Sequence, residues 1–306
     1  MLIVLALGGN ALLRRGEPMN PDVQLENIRD ACDAIAPLAA RHRLVITHGN
    51  GPQVGLLALH DSGTDQFPLD VHGAESEGMI GYLLARELRS RLAPDREVAA
   101  VLTMVEVDPH DAAFTHPTKP IGPVYQADDA RRLASKHRWT VKADGPGVRR
   151  VVASPSPQRI VELAPIRWLL DRQCVVICAG GGGIPVVADD SGVLQGVAAV
   201  VDKDLASCLL ATDLNADLFV MATDVDGVYT EWGTVRQKLL RHADPSRLRH
   251  LAFSEGSMAP KVEAACRFVE RTGRVAAIGS LNELEAVIAG DSGTSIQPRG
   301  PVLIPA

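Results

Sequence analysis

Aromatic residues are scarce in this chain, since Phe, Trp and Tyr make up only 4% of its 306 residues. Hydrophobic residues still account for 46%, so the core must be built mainly from Ala, Val, Leu and Ile. That mixture favours parallel strands covered by helices on both faces. Long apolar runs are also lacking, because none approaches the ~20 residues of a membrane helix. We therefore expect an α/β protein without a membrane span.

An excess of positive charge is absent as well. The net charge is -6, so the chain has no basic footprint for nucleic acid. The five cysteines are odd in number and lie scattered in apolar stretches, and no basic leader precedes the first strand-like run. These features predict a cytoplasmic protein with free thiols. Cys174 and Cys178 have no ligands of other types nearby, so no protein-held metal is predicted.

Both familiar phosphate-binding motifs are missing. The first strand-like run, LIVLAL, leads into Gly-Gly-Asn rather than Gly-x-Gly-x-x-Gly, and no Gly-Lys pair of a Walker sequence occurs anywhere. Lysine itself is rare among the 31 basic residues. The lysines are Lys119, Lys136, Lys142, Lys203, Lys238 and Lys261. In a chain this rich in arginine, some lysines occupy places where a planar guanidinium cannot substitute.

Strand-like and helical patterns alternate along the chain. This alternation predicts an αβα sandwich of three layers around a mostly parallel, doubly wound sheet. We predict a helix from the Asn20-Pro21 cap to about Arg41, a single strand over 97–107 and a helix over 157–171. The proline-rich stretch 108–157 is predicted to leave the main fold as a lid or small subdomain, with its own helix near 128–137.

Three strand-like runs end in glycine turns. These turns are Gly8-Gly9-Asn10, Gly49-Asn50-Gly51 and Gly180-Gly181-Gly182-Gly183. The carboxyl ends of parallel strands share one sheet edge, where ligands bind. Bare backbone N–H groups there suit the oxygens of an anion such as phosphate, and the asparagines add donors. The alternative is that the glycines only make tight turns.

Lys203 and Lys261 each stand at the start of a predicted helix. A cation there opposes the helix dipole by a few tenths of a kcal/mol. Both placements make sense if an anion lies between the two lysines, although solvated lysines are the alternative. Asp202 or Asp204 supplies the N-cap, and either can also hold Lys203. His48, before the second glycine turn, is predicted to pack or to orient that turn.

The chain resembles the carbamate kinases of the amino acid kinase family over essentially its whole length. The matching stretches, in order, are ALGGNAL, THGNGPQVG, HPTKPIGPVY, AGGGGIPV, VDKDLAS, TDVDGVY, MAPKVEAA and GTSI. Val148 and Ala153 depart from the usual pattern, which has an aromatic residue and a proline there. The resemblance implies the amino acid kinase fold with a small protruding subdomain. It also implies reversible phosphoryl transfer between ATP and carbamate. The apolar helical stretch over 75–91 favours a homodimer.

The resemblance also implies roles for individual residues. The catalytic residues would be Lys203, Lys261, Asp204, Lys119 and Asn10. The acceptor would be bound by Gly8, Gly9, Gly49, Asn50, Gly51, Gly181 and Gly182. The nucleotide would be bordered by Thr223, Asp224, Val225, Tyr229 and Met258, together with Lys203 and Lys261. Mg²⁺ would be held mainly by the nucleotide phosphates.

The expected layout is one domain over 1–306. Within it, residues 1–175 would bind the acceptor, 108–152 would form the protruding lid and 176–306 would bind the nucleotide. Two other interpretations stay open: a related small-acid kinase of the same fold, and a nucleotide-binding protein without turnover. The pathway also stays open, since arginine, purine and cyanate breakdown all use such an enzyme.

Overall fold

A computed structural model of the chain describes residues 1–9, 12–13, 17–18, 20–60, 67–145, 147–253 and 258–298. The helices are α1 (Pro21–Arg41), α2 (Gly51–His60), α3 (Leu69–Arg89), α4 (Ala127–His137), α5 (Leu163–Asp171), α6 (Lys203–Asp213), α7 (Pro245–Leu248), α8 (Met258–Thr272) and α9 (Leu284–Ala289). Of the helices in these ranges, none is long and apolar enough to cross a membrane.

The strands belong to a large central sheet and three smaller groups. They are β1 (Leu2–Leu7), β2 (Arg43–His48), β3 (Val98–Val101), β4 (Met104–Val107), β5 (Lys119–Tyr125), β6 (Thr140–Asp144), β7 (Gly147–Val152), β8 (Pro157–Ile160), β9 (Val175–Cys178), β10 (Ile184–Ala188), β11 (Leu194–Gly196), β12 (Leu218–Thr223), β13 (Val228–Thr230), β14 (Lys238–Leu240), β15 (His242–Ala243), β16 (Val275–Ser280) and β17 (Thr294–Ile296).

Over the described residues, the central sheet has eight strands in the order β15-β17-β16-β12-β1-β2-β9-β3. The six strands from β16 to β3 in that order run parallel to their neighbours. Strand β17 is antiparallel to β16. The mostly parallel sheet expected from the alternating pattern is therefore confirmed.

Two hydrophobic cores lie on opposite faces of this sheet. Along β1, Val4 and Ala6 face the core formed with α5, α6 and α8. Ile3, Leu5 and Leu7 face the core formed with α1, α3 and α9. This division follows from the two-residue period of a strand, which sends successive side chains to opposite faces. The predicted arrangement of three αβα layers is confirmed.

The predicted cap of α1 is confirmed in atomic detail. The Asn20 side chain accepts a hydrogen bond of 2.9 Å from the N–H of Val23. Pro21 occupies the first turn, where backbone N–H groups have no acceptor within the helix, so the lack of an N–H costs no hydrogen bond. The helix then ends at Arg41, as predicted.

Two predicted elements are wrong. The single strand over 97–107 is two strands, because the chain leaves the central sheet after β3 and enters a second sheet with β4. The helix predicted over 157–171 begins only at Leu163, since β8 precedes it and pairs with β4. The second sheet has the order β11-β10-β4-β8.

A third sheet, β5-β7-β6, forms a small unit with α4, whose predicted position is confirmed. This unit contacts α2 through two glycines. A Cβ added to Gly55 would lie 2.1 Å from the Cα of Gly122, which has a φ of +71°. Side chains are thus excluded from this contact, which brings β5 close to the helix that follows a glycine turn.

Candidate active site

The glycine turns meet at one edge of the central sheet. They follow β1, β2 and β9, which are contiguous with β12 in the order β12-β1-β2-β9. A Cβ on Gly49 would lie 3.2 Å from the Cα of Gly9, and one on Gly8 would lie 3.8 Å from the Cα of Thr223. The structure therefore brings the first two turns together beside the end of β12. Asn10 lies outside the described residues.

The third turn joins the others through Asn50. A Cβ on Gly181 would lie 2.1 Å from the Nδ2 atom of Asn50, and one on Gly182 would lie 2.4 Å from the carbonyl oxygen of Val201. Both glycines have positive φ, +68° and +98°. Glycine is therefore required at these positions for close packing as well as for backbone conformation.

Asn50 also organises the start of α2. Its carbonyl oxygen accepts a hydrogen bond of 2.9 Å from the N–H of Val54. Its side-chain amide donates to the hydroxyl of Ser76 at 2.8 Å. Gly51, the third predicted member of this turn, is the first residue of α2, so the helix N-terminus opens at the same edge.

Lys203 and Lys261 come together on one carboxylate. The Nζ of Lys203 donates to Oδ1 of Asp204 at 2.5 Å, and the Nζ of Lys261 donates to Oδ2 at 3.1 Å. Asp204 is 3% exposed and Lys261 is 9% exposed. Two ammonium groups against one carboxylate leave a positive charge on this buried cluster. An anion is the group that balances it.

Charge and burial oppose each other in this cluster. Burial alone would raise the pKa of Asp204, but the Lys203 and Lys261 ammonium groups outweigh it and hold that pKa well below its usual range. Burial lowers the pKa of Lys203, against the opposing pull of Asp204. A bound anion would stabilise the charged form of Lys203 further.

Lys119 reaches the same edge from the small unit of β5, β6, β7 and α4. Its Nζ donates to Oδ2 of Asp202 at 2.5 Å. Oδ1 of Asp202 accepts hydrogen bonds from the N–H groups of Asp204 and Leu205, so Asp202 is the N-cap of α6. The two aspartates around Lys203 thus have different roles. Asp202 caps the helix and binds Lys119, while Asp204 binds Lys203 and Lys261.

The residues predicted to border a nucleotide are more dispersed. Thr223 ends β12 and donates to Asp224 at 3.1 Å, and Met258 begins α8. Tyr229 lies on β13 and donates its hydroxyl to Asp226. Val225 lies in the bend between β12 and β13. The position of Thr223 next to Gly8 links this segment to the glycine turns.

Sequence and structure comparisons identify the family. A family model described as the amino acid kinase family matches residues 1–280. The chain belongs to the amino acid kinase family.

Within this family, the chain is similar to carbamate kinases. It is 55% identical to the carbamate kinase of Rhizobium meliloti strain 1021, over 97% of this chain and 93% of that protein. It is 52% identical to the carbamate kinase of Haemophilus influenzae strain KW20, over 98% of this chain and 97% of that protein. Carbamate kinase from Giardia lamblia bound to AMP-PNP has a similar structure, with a TM-score of 0.87, 37% identity, and coverage of 97% and 98%. The resemblance seen in the motifs is confirmed.

The amino acid kinase site also contains residues that sequence reasoning missed. The hydroxyls of Thr47 and Ser207 lie 2.6 Å apart, and Ser207 donates to the carbonyl oxygen of Lys203. The end of β2 is thereby tied to the first turn of α6. Ser76 and Glu77 of α3 hold the other turns. No local pattern in the sequence indicates these contacts, because the partners are far apart along the chain.

His48 of this kinase is fully buried beside the glycine turns, as a packing or orienting role requires. Its Nδ1 lies 3.0 Å from the carbonyl oxygen of Gly49. Burial lowers the pKa of His48 to about 4, against the opposing effect of that carbonyl. The side chain is therefore neutral at neutral pH.

A neutral buried histidine makes the protein sensitive to acid. The unfolded chain binds a proton near pH 6.5 that the native state accepts only near pH 4, so stability falls as the pH drops through this window. The loss is about 3 kcal/mol, at ~1.4 kcal/mol per pKa unit. In denaturant unfolding at pH 7 and pH 4, His48→Gln should lose this part of the pH dependence. The control variant His110→Gln, which changes an exposed histidine, should keep the pH dependence of wild type. If the free energy of unfolding changes equally with pH in wild type and His48→Gln, the assignment is wrong.

The part of the chain that the structure describes contains no group of three or more His, Cys, Asp or Glu side chains able to hold a metal ion. The cluster of Lys203, Lys261 and Asp204 instead presents ammonium groups, which suit phosphate oxygens.

Proposed function

We propose that this amino acid kinase transfers a phosphoryl group reversibly between ATP and carbamate. The observation that carries the proposal is the pairing of Lys203 and Lys261 on Asp204, beside three glycine turns at one sheet edge. The 55% identity to a carbamate kinase supports carbamate as the acceptor. We further propose that ATP synthesis from carbamoyl phosphate is the physiological direction.

The reaction needs no covalent enzyme intermediate. In the ATP-forming direction, a β-phosphate oxygen of ADP attacks the phosphorus of carbamoyl phosphate, the bond to the carbamoyl oxygen breaks, and carbamate leaves. Carbamate then decomposes to ammonia and CO₂. In the other direction, carbamate is already an anionic nucleophile, so we assign no general base. Catalysis of this kind depends on alignment and on neutralising charge.

Each charged group has a role in that alignment. Lys203 and Lys261 would flank the migrating phosphoryl group and neutralise its oxygens, while Asp204 fixes the two ammonium groups. Lys119 would bind the small substrate. Its Nζ is paired with Asp202, the residue before the helix that carries Lys203, so Lys119 lies close to the proposed phosphoryl site.

The glycine turns would bind the acceptor through backbone N–H groups. The proposed set is Gly8, Gly9, Gly49, Asn50, Gly51, Gly181 and Gly182, with Asn10. The nucleotide would be bordered by Thr223, Asp224, Val225, Tyr229 and Met258. A relative that is 37% identical binds AMP-PNP, which supports a nucleotide site. Mg²⁺ would arrive with the nucleotide and reduce the charge on its phosphates.

We propose that the two halves of the chain have the binding roles expected from the sequence. Residues 1–175 would bind the acceptor, together with Gly181 and Gly182 of the third glycine turn. The rest of 176–306 would bind the nucleotide, and 108–152 would act as a lid over the acceptor. The ion pair between Lys119 of β5 and Asp202 at the start of α6 supports this arrangement, because it connects the small unit to the proposed phosphoryl site. We also propose a cytoplasmic location, supported by five buried free thiols.

The direct test is formation of ATP from ADP and carbamoyl phosphate with Mg²⁺, compared with acetyl phosphate and other acyl phosphates. A carbamate kinase would use carbamoyl phosphate with the highest kcat/KM. Preference for another acyl phosphate would identify a related small-acid kinase. Nucleotide binding without ATP formation from any of these donors would identify a binding protein without turnover, and either result would overturn the proposal.

We propose that the protein is a homodimer that buries one face of α3 and β3. Strand β3 is an edge of the central sheet. Met79, Tyr82 and Leu102 are 39%, 59% and 53% exposed, and a Cβ on Gly78 would lie 3.7 Å from a methyl of Leu102. Apolar side chains grouped at a sheet edge are typical of a contact surface.

Tyr82→Asp is expected to yield a monomer, because it places a charge in this apolar face. Sedimentation velocity of wild type and variant at micromolar concentration measures the change. Trp168→Asp is the matched control, since Trp168 is 66% exposed on α5 in the opposite layer and should leave the dimer intact. A monomeric wild type, or a dimeric Tyr82→Asp protein, would contradict the proposed interface.

A further inference from the structure

A buried carboxyl group on α3 holds the third glycine turn. Glu77 is 3% exposed. Its Oε1 accepts a hydrogen bond of 2.8 Å from the N–H of Gly180, and its Oε2 accepts one of 3.3 Å from the N–H of Thr103. Glu77 therefore accepts hydrogen bonds from backbone donors of two segments, the turn that follows β9 and the link between β3 and β4.

Thr103 completes the support of the turn. Its hydroxyl accepts a hydrogen bond of 2.9 Å from the N–H of Ala179, the residue before Gly180. Ala179 has a φ of +49°, a conformation that residues other than glycine seldom adopt. Two successive N–H groups of a strained turn are thus fixed by side chains. Without these acceptors, both donors would be buried and unpaired, which is costly.

The neighbouring residue of α3 holds the second glycine turn. Ser76 accepts the hydrogen bond from the Asn50 amide, and its own hydroxyl donates to the carbonyl oxygen of Gly73. Asn50 in turn lies against Gly181. Ser76 and Glu77 therefore set the relative positions of two turns of the proposed acceptor site, although neither residue belongs to them.

In the part of the chain that the structure describes, no lysine or arginine forms an ion pair with Glu77, and the charged neighbour that acts on its pKa is Glu162. The titratable groups that face it are Glu162, which precedes α5, Cys178 of β9 and the neutral His48 of β2. Burial raises the pKa of Glu77 to about 8, although the N–H groups of Gly180 and Thr103 oppose this effect. The carboxyl group is therefore mostly protonated at pH 7.

We propose that Glu77 is a positioning residue for the acceptor, which holds the Gly180 turn against Asn50 through its hydrogen bonds to Gly180 and Thr103. This inference rests on the proposed function. Ionisation of Glu77 places a buried negative charge behind the turns whose N–H groups would bind an anionic substrate. Acceptor binding then weakens, whereas the nucleotide, bordered by other segments, is unaffected.

The first expected result is a selective change in KM. Glu77→Ala removes the acceptor of the Gly180 N–H, and a misplaced turn raises the KM for carbamoyl phosphate by up to about 10²-fold. The KM for ADP should stay at the wild-type value. Glu77→Gln has the same shape and carries no charge. Its amide oxygen can accept the hydrogen bond from the N–H of Gly180, while the longer bond of 3.3 Å from Thr103 is lost, so it should restore the KM for carbamoyl phosphate at pH 7 most of the way to the wild-type value.

The second expected result is a difference in pH dependence. Between pH 7 and pH 9, ionisation of Glu77 should raise the wild-type KM for carbamoyl phosphate by about tenfold, as expected when a buried polar network is disturbed. Glu77→Gln cannot ionise, so its KM should stay flat over this range. If the KM of Glu77→Gln for carbamoyl phosphate rises with pH as it does in wild type, the proposal is wrong. This test stands even if Glu77→Ala fails to fold.

Glu87 provides the matched control. It is a second buried glutamate of α3, 8% exposed, but it is paired with Arg86 and Arg91 away from the glycine turns. Glu87→Ala should lower stability without raising the KM for carbamoyl phosphate. If Glu87→Ala raises this KM as much as Glu77→Ala does, the effect belongs to α3 in general and the proposal is wrong.

Amide hydrogen exchange separates this inference from the proposed function. Glu77→Ala should exchange faster than wild type over residues 179–183, and Glu77→Gln should resemble wild type, whichever reaction the enzyme catalyses. Wild type that forms no ATP from carbamoyl phosphate would refute the proposed function, while the exchange data would still test the turn. Unchanged exchange in Glu77→Ala would overturn the role of Glu77.

Discussion

Lys203→Ala and Lys261→Ala should each lower turnover by about 10²–10³-fold at saturating substrates, the loss typical of one preorganised electrostatic group. Both ammonium groups are fixed on a buried carboxylate, so they need no reorganisation when a phosphoryl group migrates between them. Their effect should therefore appear in kcat more than in KM. The measurement is steady-state ATP formation from ADP and carbamoyl phosphate.

The matched control is Lys136→Ala. Lys136 is an exposed lysine on α4, and its removal should leave turnover unchanged. Lys203→Arg should fail like the alanine variant, because the Lys203 side chain is packed against Gly49, whose added Cβ would lie 3.5 Å from the Lys203 Cδ. A planar guanidinium cannot take the place of a compact ammonium there. Near-normal turnover in both alanine variants would refute the assignment.

Asp204→Asn should lower the free energy of unfolding by about 3–5 kcal/mol at pH 7, as expected when one partner of a buried ion pair is removed. The amide leaves two neighbouring buried ammonium groups without the carboxylate that joins them. Turnover should also fall at least about 10²-fold, because the lysines lose their fixed positions. Urea unfolding without substrates measures the first effect, and ATP formation measures the second.

The pH dependence of the Asp204 effect follows from its depressed pKa. Such a carboxylate stabilises the native state fully above the unfolded pKa of about 4, and this contribution is lost as the pH falls through the native value. The difference between wild type and Asp204→Asn should thus be largest near neutral pH and shrink in acid. Asp213→Asn, at the other end of α6, should change stability little. An Asp204→Asn protein as stable and active as wild type would contradict the account.

The parts of the fold that the sequence predicts well are those with strong local signals. Asn20-Pro21 marks the start of α1 through cap chemistry alone, and the apolar runs that become β1, β2, β9 and β12 end in glycines or at Thr223 before an acidic turn. The scarcity of lysine, together with the positions of Lys203 and Lys261 at predicted helix starts, indicates that these two lysines share one anion, and the structure places both on one aspartate. Such signals lie within a few residues, so one sequence is enough to detect them.

The errors arise where distant contacts decide the structure. The apolar stretch over 97–107 has no break in its pattern, yet Thr103 leaves the central sheet because its hydroxyl and N–H bind Ala179 and Glu77. Pro157–Ile160 becomes a strand only because β4 lies beside it. In the sequence, nothing distinguishes Glu77 from other helical glutamates, because its hydrogen-bond partner Gly180 is 103 positions away. Tertiary partners of this kind leave no periodic pattern.

The central claim is that Lys203 and Lys261 act together on one phosphoryl group. A double-mutant cycle on kcat tests it most directly, using Lys203→Ala, Lys261→Ala and the double variant with saturating ADP and carbamoyl phosphate. Because the two ammonium groups share Asp204 and one reacting centre, the double variant should lose far less than the product of the two single losses. Losses that multiply in full would show that the two lysines act independently and would contradict the account.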